Sequence, residues 1–230
     1  MPQHIALLGG SFNPPHIGHF QLAYTALEGL GLEQVLFLPC ANPPHKPQNT
    51  LLPFALRCEL LHAYIHDKPF FGISTIEQER KGPSYTVETL TALTNDDPRV
   101  MLYFIMGTED LLSFTKWYKW DEILTLTNII AVPRARHYST SELTDIAQGI
   151  DPLYSLAKHD KGSTTFTHPQ ACTIHCLDQP ILEISSTLIR KKWLNNEALD
   201  LFLPDKVLSL LNINRDVVTP LWADSPDHMR

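Results

Sequence analysis

The run IALLGGSFNPPHIGH, residues 5–19, leaves this chain few folds to choose from. Ile5 to Leu8 is a short apolar run of the kind that fills a buried strand. Gly9 and Gly10 follow, then a turn through Asn13, Pro14 and Pro15. A 3.6-residue apolar pattern starts at Ile17 and continues through Leu22, Ala23, Ala26, Leu27 and Leu30, which predicts a helix. Glycines let backbone approach a ligand closely. The free N–H groups and positive end of a helix N-terminus attract phosphate. His16 and His19 stand three apart with Gly18 between them, so both point the same way at the top of the first strand. The glycine turn alone fits a helix-capping loop with two solvated histidines equally well. The whole order, GG, then NPPH, then HIGH after a strand, is far more specific.

Glycines 29 and 31 mark the end of that helix. Val35–Leu38, closed by Pro39, reads as a second buried strand. A strand–helix–strand unit of this length implies a parallel pair with a right-handed crossover. The expected fold class is therefore α/β, a Rossmann-like doubly wound parallel sheet with its ligand beyond the C-terminal strand ends. A chain of 230 residues suffices for one such domain. We expect a sheet core over about residues 1–184, helices over about 185–215, and a loosely held tail from Val217 to Arg230, which contains Pro220 and Pro226.

The net charge of −7 argues against a protein that coats nucleic acid, but not against one that binds small anions. Gln3 and His4 lead straight into the first strand, and no apolar run approaches the ~20 residues that span a bilayer. Cys40, Cys58, Cys172 and Cys176 are scattered, so we expect a cytoplasmic protein with reduced thiols. Cys172 and Cys176, with His168 and His175 nearby, lack the spacing of a metal motif, and the alternation in TIHCL suits a strand.

The later segments carry further signals. Pro43, Pro44 and Pro47 stiffen the loop Cys40–Thr50, which presents His45 and Lys46 on the same edge as the opening motif. Pro53 opens a helix to about Ile65, and Phe70–Ser74 reads as a third strand. In KGPSYTVETL, Lys81–Leu90, Ser84 or Thr86 caps a helix whose first turn holds Glu88. Val100–Met106 is the strongest buried strand; Gly107, Glu109 and Asp110 at its end form a rim suited to a ribose or an adenine amine. KWYKW, Lys116–Trp120, puts Trp117 and Trp120 at i, i+3 on one short helix, by itself a core-packing pattern. Asn128–Val132 is another strand, with Arg134 and Arg136 beyond Pro133. Ser139–Gly149 reads as a helix, Lys158–Thr167 as a mobile loop, and Thr173–Leu177 as a short strand. In EISSTLIRKKWL, Glu183–Leu194, Ser185 and Ser186 cap a helix on which Thr187 and Arg190 share a face. Free N–H groups, hydroxyls and a fixed positive charge make that a phosphate site.

In this order, the motifs resemble the HxGH nucleotidyltransferase superfamily. GGSFNPPHIGH, PPHKP, GPSYT, TKWY and ISSTLIR together resemble the bacterial nicotinate-nucleotide adenylyltransferases over nearly the whole chain. The resemblance implies transfer of AMP from ATP to nicotinate mononucleotide, giving deamido-NAD and pyrophosphate, by in-line attack of the acceptor's phosphate without a covalent intermediate. It implies His16 and His19 as the catalytic pair. For ATP it implies Gly9, Gly10, Ser11, Phe12, Gly18, Gly107, Glu109, Ile184, Ser186, Thr187 and Arg190. For the acceptor it implies His45, Lys46, Ser84, Tyr85, Thr86, Trp117, Tyr118 and Arg134, with Trp117 stacked on the nicotinate ring and Trp120 left in the core. The family's G-x-D is in register with Glu109, Asp110 following. Mg²⁺ is expected to ride on the ATP phosphates, with no dedicated carboxylate cage. The implied partners are the two nucleotides, with no nucleic acid or membrane, and a homo-oligomer stays open. Two rival readings are a sibling enzyme, such as pantetheine-phosphate adenylyltransferase or a cytidylyltransferase, and a non-catalytic nucleotide-binding protein that kept the fold.

Overall fold

Strands of apolar β-formers alternate with helices along this chain, and that alternation sets the architecture. The structure, a computed structural model, describes residues 3–44, 50–96, 100–134, 136–179, 182 and 184–224. The elements run β1 (Gln3–Gly10), α1 (Ile17–Leu30), β2 (Gln34–Pro39), α2 (Phe54–Ile65), β3 (Phe71–Ile73), α3 (Thr86–Asp96), β4 (Val100–Gly107) and α4 (Thr108–Leu111). They continue with α5 (Trp120–Leu126), β5 (Asn128–Val132), α6 (Thr140–Ile150), β6 (Ser155–Asp160), β7 (Ser163–Thr167), β8 (Ile174–Leu177), α7 (Ser186–Leu194), α8 (Asp205–Ile213) and α9 (Arg215–Ala223). The sheet order is β3-β2-β1-β4-β5-β8-β7-β6. β1, β4, β5 and β8 pair in parallel, and β7 and β6 add an antiparallel edge. The Rossmann-like α/β class expected from the opening strand–helix–strand unit is the class observed, as a mostly parallel, mixed sheet.

By its internal contacts the chain divides into two compact units. Met1–Gly9, Gln21–Leu36 and Tyr85–Glu183 form the first, and Gly10–Phe20, Phe37–Ser84 and Ile184–Arg230 the second. In the first, β4 and β5 fill the core: Ile105, Ile129, Ile130, Ala131 and Val132 are at most 1% exposed. Such strands, covered on both faces, read as unbroken apolar runs. In the second, α2, α7, α8 and α9 enclose one apolar cluster that includes Leu56, Leu60, Ile189, Trp193, Val207, Leu211, Val218 and Trp222.

Two expectations are corrected. Lys158–Thr167 is no mobile loop but most of the β6–β7 hairpin. Its polar composition hides a period-2 pattern in which Thr164 and Phe166 are buried and their neighbours face out. Residues 217–223 are not loose either. They form most of α9, because burying Val218 and Trp222 outweighs the helix-breaking tendency of Pro220. Residues 225–230, with Pro226, lie outside the described residues.

β8 also carries a pH sensor of stability. His175 lies 3.2 Å from Thr165 Oγ1 through Nδ1, its ring 6.0 Å from that of Tyr103, whose hydroxyl meets His4 Nδ1 at 3.1 Å. Burial pushes its pKa down to about 4. The folded state then holds fewer protons than the unfolded one between that value and the ordinary ~6.5. Its contribution is complete above that range and lost as pH falls through it, by roughly 3 kcal/mol. Thermal melts from pH 7.5 to 4.5 should show a decline that His175→Gln flattens. Parallel declines in the two proteins would count against this account.

Candidate active site

Within the second unit, the turn between β1 and α1 is built under strain. Phe12 is fully buried yet has φ +46°, a left-handed backbone that is uncommon outside glycine. Its ring, edge-on to His19 at 4.9 Å and to Phe37 at 5.7 Å, holds it there. Asn13 and His16 follow, 3% and 4% exposed.

His16 occupies the N-cap position of α1 and His19 its third helical position. The backbone N–H of His16 donates to His19 Nδ1 at 3.2 Å. This is the reciprocal contact that Glu or Gln makes in a capping box. An Nδ1 that accepts leaves the neutral ring's proton on Nε2, so Nε2 of His19 is a donor. The two imidazoles stack at 3.7 Å with 29° between their planes. Gly18 leaves room for the stack: a Cβ there would lie 3.1 Å from His16 Nδ1 and 3.2 Å from its Cε1, so the ring would have to give by a few tenths of an ångström. The spacing H-x-G-H thus has a steric reason.

The signature helix α7 brings its polar end to the same turn. Ser185 Oγ accepts the Leu188 N–H at 3.1 Å and caps the helix. Ser186 Oγ donates to the Pro14 carbonyl at 3.0 Å. Arg190, 6% exposed, donates from Nη1 to the Asn13 carbonyl at 2.8 Å and from Nη2 to Thr187 Oγ1 at 3.0 Å. His16, Gly18, His19, Ile184, Ser186, Thr187 and Arg190 thus lie together at this turn.

The roles of two residues of this unit escaped the sequence reading. Arg57, 1% exposed, donates from Nε to the Leu52 carbonyl at 3.0 Å and from Nη1 to the Ser11 carbonyl at 2.7 Å, so it fixes the loop from below its backbone. Burial lowers its pKa from the ordinary arginine value. The only signal was a lone arginine in the apolar run FALRCELL. Asn13 is the other: its side chain ties the turn to Thr50 and Leu52. Ser84 does not cap α3. Its Oγ accepts the Asn42 N–H at 3.0 Å, and its own N–H donates to the Asn42 carbonyl at 2.9 Å. His45 and Lys46 lie outside the described residues.

Within the first unit, the end of β4 supports a carboxylate cluster. Asp110 Oδ2 accepts the Gly107 N–H at 3.3 Å and Arg134 Nη2 at 3.2 Å. A Cβ on Gly107 would sit 3.0 Å from Arg134 Nε and 3.1 Å from Asp110 Oδ2, so a larger residue there would push this ion pair aside by a few tenths of an ångström. Glu109 Oε1 accepts the Arg134 N–H and the Tyr138 hydroxyl, each at 3.2 Å. Its Oε2 is buried and has no hydrogen-bond partner among the described residues. Asp110 is thus occupied in holding the strand end, and Glu109 retains an acceptor. Burial pushes the pKa of Tyr138, another residue the sequence did not reveal, above its ordinary value.

The aromatic patch departs from the expected single helix. A 3₁₀ turn, Phe114–Lys116, precedes Trp117, and α5 starts only at Trp120 because Lys119 has φ +52°. Broken periodicity puts the two indoles on separate elements. Trp117 is half-buried, edge-on to Phe104 at 6.0 Å and 5.5 Å from Phe114. Trp120, expected in the core, is only half-buried, 6.3 Å from Phe114. Tyr118 is exposed, and its ring lies 4.4 Å from that of Tyr85. The Tyr85 carbonyl, not a side chain of Thr86, accepts the first N–H groups of α3.

A mostly parallel α/β sheet with paired imidazoles at its first helix defines a nucleotidyltransferase-type fold. A profile of the cytidylyltransferase-like family matches residues 7–192, and the chain belongs to that family. Its curated relatives narrow the assignment to the nicotinate-nucleotide adenylyltransferases. That of Bacillus subtilis is 32% identical over 91% of this chain and 96% of its own. The Maridesulfovibrio salexigens protein named "Probable nicotinate-nucleotide adenylyltransferase" is 34% identical over 95% and 99%. The fold matches that of Plasmodium falciparum nicotinic acid mononucleotide adenylyltransferase complexed with NaAD, with a TM-score of 0.71 at 15% identity over 94% of this chain and 97% of that one. No helix among the described residues is long and apolar enough to cross a membrane.

Proposed function

We propose that this chain transfers the adenylyl group of ATP to nicotinate mononucleotide, releasing pyrophosphate and forming deamido-NAD. The observation that carries the reading is the stacked His16–His19 pair at the start of α1, with Ser186 and Arg190 drawn to the same turn. Attack of a phosphate oxygen on the α-phosphorus builds charge on the bridging and leaving oxygens, so the protein's task is to position and to donate. His19 supplies Nε2–H, His16 its ring, and Arg190 with Ser186 and Thr187 a cationic, hydroxyl-bearing helix start for the outer phosphates. Backbone at Gly9, Gly10, Ser11 and Phe12 borders the nucleotide, and Glu109, beside Gly107, offers its remaining oxygen to a ribose or adenine donor. The nicotinate ring stacks on Trp117, with Tyr85, Thr86, Tyr118 and Arg134 of the same unit as its neighbours; Ser84, His45 and Lys46 are assigned to the acceptor by the family resemblance alone. The imidazole, guanidinium and hydroxyl groups of the turn are poor ligands for a cation as hard as Mg²⁺, so the triphosphate itself would hold any Mg²⁺, which would neutralise part of its charge.

Pyrophosphate release tests the reading directly. It is expected with ATP plus nicotinate mononucleotide; release only with CTP or with a pantetheine phosphate acceptor, or none at all, overturns it. Trp117→Ala should raise KM for nicotinate mononucleotide roughly 5–10-fold and leave that for ATP nearly unchanged, the loss of one stacking contact. Equal rises in both would mark damage to the packing on Phe104 and Phe114 instead.

A further inference from the structure

We infer that Trp222, acting through Asn13, positions the two-histidine turn for catalysis, so that the C-terminal helices tune the reaction as well as the fold. The inference rests on the function proposed above. The family match ends at residue 192, and α8 and α9 lie wholly beyond it. Yet this end of the chain grips the turn at two points. The Ile17 N–H donates to the Phe202 carbonyl at 3.1 Å, and Trp222 Nε1–H donates to Asn13 Oδ1 at 3.4 Å. Between those points lie Pro14, Pro15 and His16.

Asn13 joins the pieces. Its Nδ2 donates to the Thr50 carbonyl at 3.0 Å, its Oδ1 also accepts the Leu52 N–H at 3.0 Å, and its backbone carbonyl accepts Arg190 Nη1 at 2.8 Å. One amide oxygen holding two donors leaves the side chain no rotation that keeps both. A shift of Asn13 therefore moves the Arg190 guanidinium and the peptide leading to His16 together. Trp222 is fully buried and lies edge-on to Trp193 at 5.6 Å, one turn beyond Arg190 on α7. An indole that served packing alone would place its N–H against any nearby acceptor. Here the acceptor belongs to the turn that carries both histidines.

The test uses Trp222→Phe, which keeps an aromatic ring against Trp193 but lacks the donor, alongside Asn13→Ala and the double variant. Trp222→Phe should lower kcat about 3–10-fold while KM for nicotinate mononucleotide stays within about twofold, the pattern of a lost transition-state alignment. The double variant should be no slower than Asn13→Ala, and the imidazole NMR resonances of His16 and His19 should shift in every variant. Wild-type kcat in Trp222→Phe, multiplying losses in the double variant, or unshifted imidazole resonances would overturn the inference. Should Trp222→Phe fail to fold, Asn13→Ala decides by the same kcat-against-KM split and the same resonances. A wild-type protein that releases no pyrophosphate would sink the proposed function, while the resonances still decide the positioning.

Discussion

Replacing His19 by alanine should lower kcat by a factor of ~10² or more, the usual loss for one preorganised donor at a site of developing charge. Pyrophosphate release under saturating ATP measures it. The same substitution removes the acceptor for the His16 backbone N–H, a capping contact worth about 1 kcal/mol, so a few degrees of thermal stability go too. His19→Gln separates the two effects. Glutamine at the third helical position restores the reciprocal cap, so stability should return while kcat stays low. A kcat that recovers in step with stability would make His19 a cap and nothing more.

Arg190→Ala should have the next largest effect, and on two quantities at once. Arg190 is 6% exposed, and its loss leaves the buried Asn13 carbonyl without this donor, a cost of about 1–3 kcal/mol, and removes the bond to the exposed Thr187 Oγ1 as well. If the cation also holds the outer phosphates, turnover falls by ~10² or more beyond what stability explains. Arg190→Lys should recover part of the turnover but less of the stability, because an ammonium cannot copy the planar fork that reaches both acceptors. Unchanged ATP affinity and turnover in Arg190→Ala would remove this residue from the phosphate site and leave it a strut of the turn.

A cluster of this sort is only partly legible along the chain. His16, Gly18 and His19 announce themselves because their relationship is local: a three-residue spacing on one helix puts both rings on one face, and a Cβ at Gly18 would press against the His16 ring. The Ser185 cap on α7 and the Ser139–Glu142 capping box on α6 are local in the same way. The aromatic patch misled for a corresponding reason. KWYKW has helical spacing, but a left-handed residue, Lys119, sits inside it, and nothing in the composition of a lysine declares a positive φ.

The amino-acid sequence by itself determined the alternating strands and helices, the class of the sheet, the paired imidazoles and the serine-capped arginine helix, since each is written in contacts within a few residues. Only the tertiary structure decided which groups those side chains meet. Arg190 and Asn13 are 177 positions apart, Trp222 and Asn13 209. Arg57 reaches the Ser11 carbonyl across 46 residues, and Tyr138 reaches Glu109 across 29. No periodicity encodes such pairs. Those of Arg57, Arg190 and Trp222 form because burying the apolar faces of α2, α7 and α9 carries polar groups inward with them, and each must then find a partner.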